Sequence, residues 1–328
     1  MATHEDDDRF VTGRRVTGDD GASVRAVRAR VARHLVGRAR ELDLLLAAVA
    51  AGRDVLLEGP PGTSKSTLLR AITAEWGIPL VFVEGNADLT PTRLVGHHDP
   101  ARVLREDYSP DNFVPGPLVD AMRTGGFLYL EEFNRAPEDT LNTLLTAMAE
   151  RRLAVPRVGV IEALPSFRVI ASMNPYDNVG TTRLSTSVHD RLCRLAVDYQ
   201  DAEAERGIVG RRTGLESPRL VADAVALTRS TREREDVRQG SSVRGAIDTA
   251  LVAAQLAAMR GVPLPDEPSV APPRWLSEEY TAVVLDAVLL ALSGRIFLDE
   301  TLETTPEAVL REIWEDHFLL QPAAADPG

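Results

Sequence analysis

The sequence predicts an α/β protein, a mostly parallel sheet covered by helices on both faces, followed by a helical lobe. Three observations carry this. Short apolar runs alternate with segments of helical spacing over the first two thirds of the chain. One of these runs, "DVLLE" (54–58), feeds the glycine-rich stretch "GPPGTSKST" and then a helical pattern, "STLLRAITAEW". After Asp198 only helical patterns remain.

Taken in order, residues 1–24 are rich in Asp, Gly and Thr without hydrophobic periodicity, and read as a disordered acidic tail. Two helices are expected from Val24 to Ala51, in "VRAVRARVARHL" and "RARELDLLLAAVAA". Beyond "DVLLE", the runs "PLVFVEG" (79–85), "GGFLYLEEF" (125–133) and "FRVIASMN" (167–174) read as strands, because apolar and β-branched residues dominate each. The core domain is therefore placed at 25–198. Helical patterns at 201–213, 217–230, 241–260, 278–293 and 305–319 define a lobe at 199–320, with a flexible tail at 321–328. The proline-rich "GVPLPDEPSVAPPRW" (261–275) connects the third and fourth of these helices, and the leucine-rich 282–293 stretch reads as core of the lobe.

Composition narrows the class. The chain has 328 residues, 44% hydrophobic and 26% charged, as expected of a soluble globular protein. Its net charge of −12, from 49 acidic against 37 basic residues, lacks the bulk electrostatic footprint of a nucleic-acid binder. Cys193 is the only cysteine, which excludes an intrachain disulfide and a cysteine metal cluster and fits a reducing compartment. The polar start "MATHEDDDRF" has no signal-peptide core, and the most apolar run, "AVVLDAVLLAL", is too short to span a bilayer and carries Asp286. A cytoplasmic location is expected.

The glycine-rich stretch has the context of a phosphate-binding loop: strand, tight turn, helix starting at lysine. Gly59 and Gly62 are expected to carry the turn's special conformations, flanked by Pro60, Pro61 and Thr63. The N–H groups of 62–67, through Thr67, point at a bound phosphate, Lys65 reaches the β- and γ-phosphates, and the Ser66 hydroxyl ligates Mg²⁺. Ser64 stands where such loops usually have glycine. It is expected at the helix start with negative φ, its hydroxyl capping the helix. "FLYLEEF" ends a strand in two carboxylates: Glu131 is assigned to the magnesium shell, through a bridging water, and Glu132 to orienting the attacking water. Asn174 ends the strand "VIASMN", where a neutral amide can hold the γ-phosphate or the lytic water. Taken singly, each has a plainer reading: a capped Gly/Pro turn, a solvated strand end, an Asn–Pro turn. Their order along one α/β pattern favours the functional one.

That order, phosphate loop, Glu131–Glu132, Asn174, resembles the AAA+ ATPases, and the wording around it resembles their MoxR branch. "EEFNRAPEDTLNTLLTAMAE" is similar to that branch's acidic motif and following helix, and "FVPGPLVDAM" to the segment before it. "RRLAVPRVGVIEALPSFRVIASMNP" is similar to its helix-2 insert, a β-hairpin, and "VHDRLCR" and "GSSVRGAIDTALVAAQLAAMRG" to its Asp–Arg motif and lid helix. The resemblance covers about residues 30–260. It implies a P-loop αβα sandwich with a helical lid, ATP and Mg²⁺ as cofactors, and assembly into a homo-oligomer, a hexamer in most of the family. It further implies that Val36 and Gly37 lie near adenine and that Arg244 contacts the γ-phosphate from the lid. Arg191 is the implied arginine finger, reaching the ATP of a neighbouring subunit, with Arg194 and Arg183 as competitors. Arg135 is placed at the subunit interface, and "GHHD" (96–99) near the central pore rather than on a metal, since His97 and His98 alternate faces. Such ATPases work as chaperone-like remodellers of protein clients, commonly with a von Willebrand factor A domain partner.

Two alternatives stay open on the sequence. One is a GTP-driven, nucleic-acid-linked motor of the McrB type, which the acidic balance disfavours. The other is a nucleotide-gated scaffold with slow turnover, supported by the departures at Ser64 and Glu131.

Overall fold

The computed structural model describes residues 23–175, 184–266, 276–299 and 303–319. The expected tails and most of the proline-rich connector lie outside these ranges, except that Ser23 caps the first helix and Val24 begins it. The described residues form two compact units, 23–60 with 64–198, and 199–319 with the loop triplet 61–63.

In the first unit, α1 (Val24–Ala32) is capped by the Ser23 hydroxyl, and α2 (Ala39–Ala50) buries Leu42, Leu45, Leu46 and Val49, one stripe at helical spacing. Strand β1 (Val55–Glu58) runs into the glycine loop and α3 (Lys65–Trp76), which buries Leu68, Leu69, Ile72 and Trp76 and stops at Gly77, a left-handed residue with φ of 68°. After β2 (Leu80–Glu84) come α4 (Pro91–Val95), β3 (Gly96–His98), α5 (Pro100–Glu106), β4 (Phe113–Pro115) and α6 (Pro117–Thr124). Strand β5 (Phe127–Glu131) is buried from Phe127 to Leu130. Then follow α7 (Glu138–Glu150), the antiparallel hairpin of β6 (Arg152–Val155) and β7 (Gly159–Glu162), and the buried β8 (Arg168–Met173). Helix α8 (Thr186–Arg191) and β9 (Cys193–Ala196) complete the unit.

Five strands form one parallel sheet in the order β2-β5-β8-β1-β9. All four strands expected from the sequence lie in it, and the expected hairpin precedes β8. Strand β9, on an edge, is an addition: "CRLA" is four residues long and broken by Arg194, too weak a pattern to read as a strand. The short β3–β4 ladder is another, pairing His97 with Val114 and His98 with Phe113. His98 Nδ1 lies 2.7 Å from Asn112 Oδ1, and its ring meets Tyr108 and Phe113 edge-on.

The register fixes what meets at the carboxyl edge of the sheet. Glu58 pairs with Met173 and with Ala196, Leu130 with Ala171, and Glu131 with Glu84. The residues that follow β1, β5 and β8 therefore emerge side by side, the usual place for a ligand in an open α/β sheet.

The second unit holds α9 (Ala202–Thr213), α10 (Pro218–Glu233), β10 (Val237–Gln239), α11 (Val243–Arg260), α12 (Glu278–Leu292), β11 (Phe297–Leu298) and α13 (Pro306–Phe318). Its five helices match the helical patterns of the sequence, and the antiparallel β10–β11 pair is an addition. Helix α12 buries Val283, Val284, Ala287, Val288 and Leu292 in the core of this unit.

Candidate nucleotide-binding site

The loop between β1 and α3 starts anchored: the Gly59 N–H donates to the Met173 carbonyl at 3.1 Å, which ties it to the end of β8 beside Asn174. Gly62 has φ of 75°, as expected for the turn. Gly59 is not among the residues with positive φ, so it does not supply a left-handed conformation. Ser64 overturns its expectation outright. It sits in the left-handed region at φ 66° and ψ 19°, and its side chain makes no cap hydrogen bond. The backbone must turn from the loop into α3 within one residue, so position 64 carries the strain that glycine would avoid.

Lys65, buried as the first residue of α3, donates from Nζ to the carbonyls of Gly59 at 2.7 Å and Pro60 at 2.8 Å. The ammonium is thereby held in the concavity of the loop. Thr63 is buried, Pro61 and Thr67 are exposed, and the first N–H groups of α3 have no intrahelical acceptor, the condition for anion binding at a helix start.

Ser66 Oγ donates to Glu131 Oε1 at 2.7 Å. Tyr129 braces this pair, its hydroxyl 3.0 Å from Ser66 Oγ, 3.3 Å from Glu131 Oε1 and 2.9 Å from Ser172 Oγ. Burial first, and then the Glu131 charge, push the Tyr129 phenol up to about 12, against the hydrogen bonds with Ser172 and Ser66, which lower it. The hydroxyl is thus a fixed neutral donor. Two hard oxygen ligands side by side at a helix N-terminus fit a magnesium ion. The extra methylene of Glu131 is taken up in reaching Ser66 directly.

Glu132 follows at φ 53° and ψ 44°, another left-handed residue, and pairs with Arg135 Nη1 at 2.9 Å. Strained backbone of this kind is concentrated at functional sites. Gly85 explains how the strand end packs: its N–H donates to the Glu131 carbonyl at 2.7 Å, and a Cβ there would lie 2.3 Å from the Glu132 carbonyl oxygen. Asn174, half-buried, directly follows β8.

The other sequence candidates lie apart. Val36 and Gly37, with Gly37 at φ 64°, form the turn between α1 and α2. The next residue, Arg38, pairs with Glu41 at 2.8 Å and donates to the Asp198 carbonyl at 2.6 Å, which tethers the turn just beyond β9. Arg191 ends α8, exposed, with Nη1 donating to the Ser187 carbonyl at 3.0 Å. Because Cys193 pairs with Val55, Arg191 lies at the amino edge of the sheet, opposite the loop. Its competitor Arg194 is paired with Glu58, Nη2 to Oε1 at 2.9 Å, and Arg183 lies outside the described residues. Arg244 is exposed in the first turn of α11, in the second unit, beside the cap Ser242.

Tyr129, Arg135, Ser172 and Gly85 were not singled out for this site from the sequence. Tyr129 had a signal, since residues two apart on a strand share a face with Glu131. Ser172 and Gly85 had none, because strand register places them.

A five-stranded parallel sheet with a phosphate loop after β1, carboxylates after β5 and a helical C-terminal region is the AAA+ fold. Residues 54–192 match the AAA domain of the dynein-related subfamily. Among curated proteins, the chain is 29% identical over 280 residues to the gas vesicle ATPase GvpN of Ancylobacter aquaticus, covering 80% of this chain and 72% of that protein. It is 32% identical over 206 residues to GvpN of Haloferax mediterranei, covering 58% and 59%. Among solved structures, a point mutant of Thermotoga maritima RuvB aligns over 84% of this chain and 73% of that one at 18% identity, with a TM-score of 0.48.

Proposed function

We propose that this protein is a Mg²⁺-dependent ATP hydrolase of the MoxR type that works as a homo-oligomeric ring, by family habit a hexamer, and remodels client proteins in the cytoplasm. The observation that carries the hydrolase reading is the Ser66–Glu131 hydrogen bond at the start of α3, with Glu132 next in the chain. Magnesium bound there would polarise the phosphoryl group and neutralise developing charge. The chain's own residues divide the remaining work. Loop N–H groups and Lys65 hold the phosphates, Ser66 and Glu131 provide the metal's oxygen ligands, Glu132 orients the attacking water and Asn174 fixes it from the neighbouring strand. Arg135 pairs with Glu132 at 2.9 Å and so orients its carboxylate.

The ring is supported by Arg191. Its place at the amino edge of the sheet keeps it from the loop of its own unit, so a role on ATP requires a second copy of the chain. Val36 and Gly37 are assigned to adenine, and Arg244 to the γ-phosphate. The gas vesicle ATPases among the relatives support ATP as the nucleotide. A von Willebrand factor A domain partner and a protein client rest on the MoxR resemblance. Among the described residues, no helix is long and apolar enough to cross a membrane.

Single-turnover phosphate release tests the assignment. Lys65→Ala should lose nucleotide binding, and Glu132→Gln should bind ATP normally and release phosphate at least about a hundred-fold more slowly. Equal rates in all three proteins would refute it. ATP-loaded Glu132→Gln should then retain a protein client in a pull-down. Recovery of nucleic acid with a GTP preference would favour the motor reading instead.

A further inference from the structure

A cavity of about 510 Å³ opens at the amino edge of the parallel sheet, at the opposite end of the strands from the phosphate loop. Its lining includes Arg53, Arg151, Arg168 and Arg191, with Asp54 and Asp190. Four guanidinium groups round one cavity stand out in a chain of net charge −12.

Two of the four are rooted in place. Arg168 is 2% exposed, and it donates from Nε to the Val49 carbonyl and from Nη1 to the carbonyls of Pro165 and Phe167. Arg151 donates from Nη2 to the Phe167 carbonyl, and its guanidinium lies 4.9 Å from the centre of the Phe167 ring. Among the described residues, Arg53, Arg151 and Arg168 make no ion pair with a carboxylate. Asp54 Oδ1 accepts from the Val169 N–H at 2.7 Å; burial raises its pKa, against the Val169 hydrogen bond and the charges of Arg151, Arg168 and Arg53. Burial, and then the Arg151 charge, bring Arg168 down to about 10. Asp54 is the carboxylate whose charge all three of these arginines feel, one against three, so a positive surplus remains that an anion entering the cavity would offset.

We propose that this cavity is a second anion site, separate from the loop at Gly59–Thr67, that takes a phosphate-bearing small anion on Arg53, Arg151 and Arg168. Guanidinium forks match phosphate oxygens in pairs, and the volume falls within the roughly 300–1,000 Å³ of small-molecule sites. Phosphate chemistry of this kind has two sources: a free polyphosphate, or the nucleotide of a neighbouring copy. The second source, unlike the first, rests on the ring proposed above.

The test has two arms. In the first, Lys65→Ala protein, with its loop disabled, is titrated with sodium tripolyphosphate by calorimetry. A free-anion site gives one binding event per chain, weakened about ten-fold or more by adding Arg53→Glu or Arg151→Gln. Arg53 is exposed, so Arg53→Glu serves if Arg151→Gln fails to fold. In the second arm, Arg53→Glu with an intact loop is sedimented with a non-hydrolysable ATP analogue. Loss of assembly, with nucleotide binding per chain unchanged, supports the neighbouring nucleotide as the source. The proposal is overturned if Arg53→Glu assembles like the parent and tripolyphosphate either does not bind Lys65→Ala or binds it regardless of Arg53 and Arg151.

Discussion

Ser66 Oγ and Glu131 Oε1 are 2.7 Å apart, though 65 residues separate them in the chain. This contact joins the start of α3 to the end of β5, and Tyr129 and Ser172 fix it from the strands beneath. It converts two separate sequence motifs into one constellation with metal-ligand chemistry. Hydrogen-bonding a serine to a carboxylate also keeps both oxygens in place, so little reorganisation is needed when an ion enters.

The left-handed backbone at Ser64 makes a sharp prediction. Glycine removes the Cβ conflict there, worth roughly 1–2 kcal/mol, and returns part of it as unfolded-state entropy. Ser64→Gly should therefore keep nucleotide affinity within a few-fold and hold or raise the melting temperature. Ser64→Val and Gly62→Val should both abolish binding, measured by fluorescent-nucleotide titration. A Ser64→Val protein that binds normally would show that the left-handed conformation is dispensable.

Arg191→Ala should bind ATP like the parent and hydrolyse it roughly three to five orders of magnitude more slowly. Mixing it with Lys65→Ala should restore part of the rate, since each mutant supplies the half-site the other lacks. Mixed samples no faster than their separate components would place Arg191 outside a shared site.

In the second unit, Asp223 is fully buried and accepts from Arg219 Nε at 2.8 Å and Tyr280 Oη at 2.9 Å, with His317 Nε2 at 2.8 Å. One carboxylate thus holds α10, α12 and α13 together. Asp223→Ala removes the carboxylate paired with the buried Arg219 guanidinium and should cost roughly 3–5 kcal/mol, while Tyr280→Phe should cost roughly 1–2. Urea unfolding followed by circular dichroism measures both, and a loss below the Tyr280→Phe value for Asp223→Ala would mean that the network is not the keystone.

Glu58, at the end of β1, is held below its ordinary 4.5 chiefly by the Arg194 hydrogen bond. A depressed carboxylate pKa contributes stability above the ordinary range and loses it as the pH falls through the lowered value. Arg194 is largely exposed, so the contribution should be only about 0.5 kcal/mol at neutral pH. Melting curves of the parent and Arg194→Gln should differ at pH 7 and converge once the pH has fallen below the lowered Glu58 value. Curves that remain equally separated in acid would assign the difference to packing.

The residues themselves determined most of the architecture. Apolar runs such as "FLYLEEF" and helical stripes such as Leu42, Leu45, Leu46 and Val49 encode a strand or a helix locally, because a short continuous apolar run buried on both faces and a period-3.6 stripe leave different marks. The loop and its acidic partner strand were legible for the same reason, since their chemistry demands residue types at short spacing. Strand register, side-chain direction and backbone dihedrals belong to the tertiary structure. They decided that Tyr129 and Ser172 brace Ser66, that Gly85 makes room for the Glu132 carbonyl, and that four arginines from distant segments share one cavity. Ser64 marks the boundary between the two. Its identity was plain in the sequence, but its positive φ was not, because the path of the chain from β1 into α3 imposes that dihedral rather than any preference of serine.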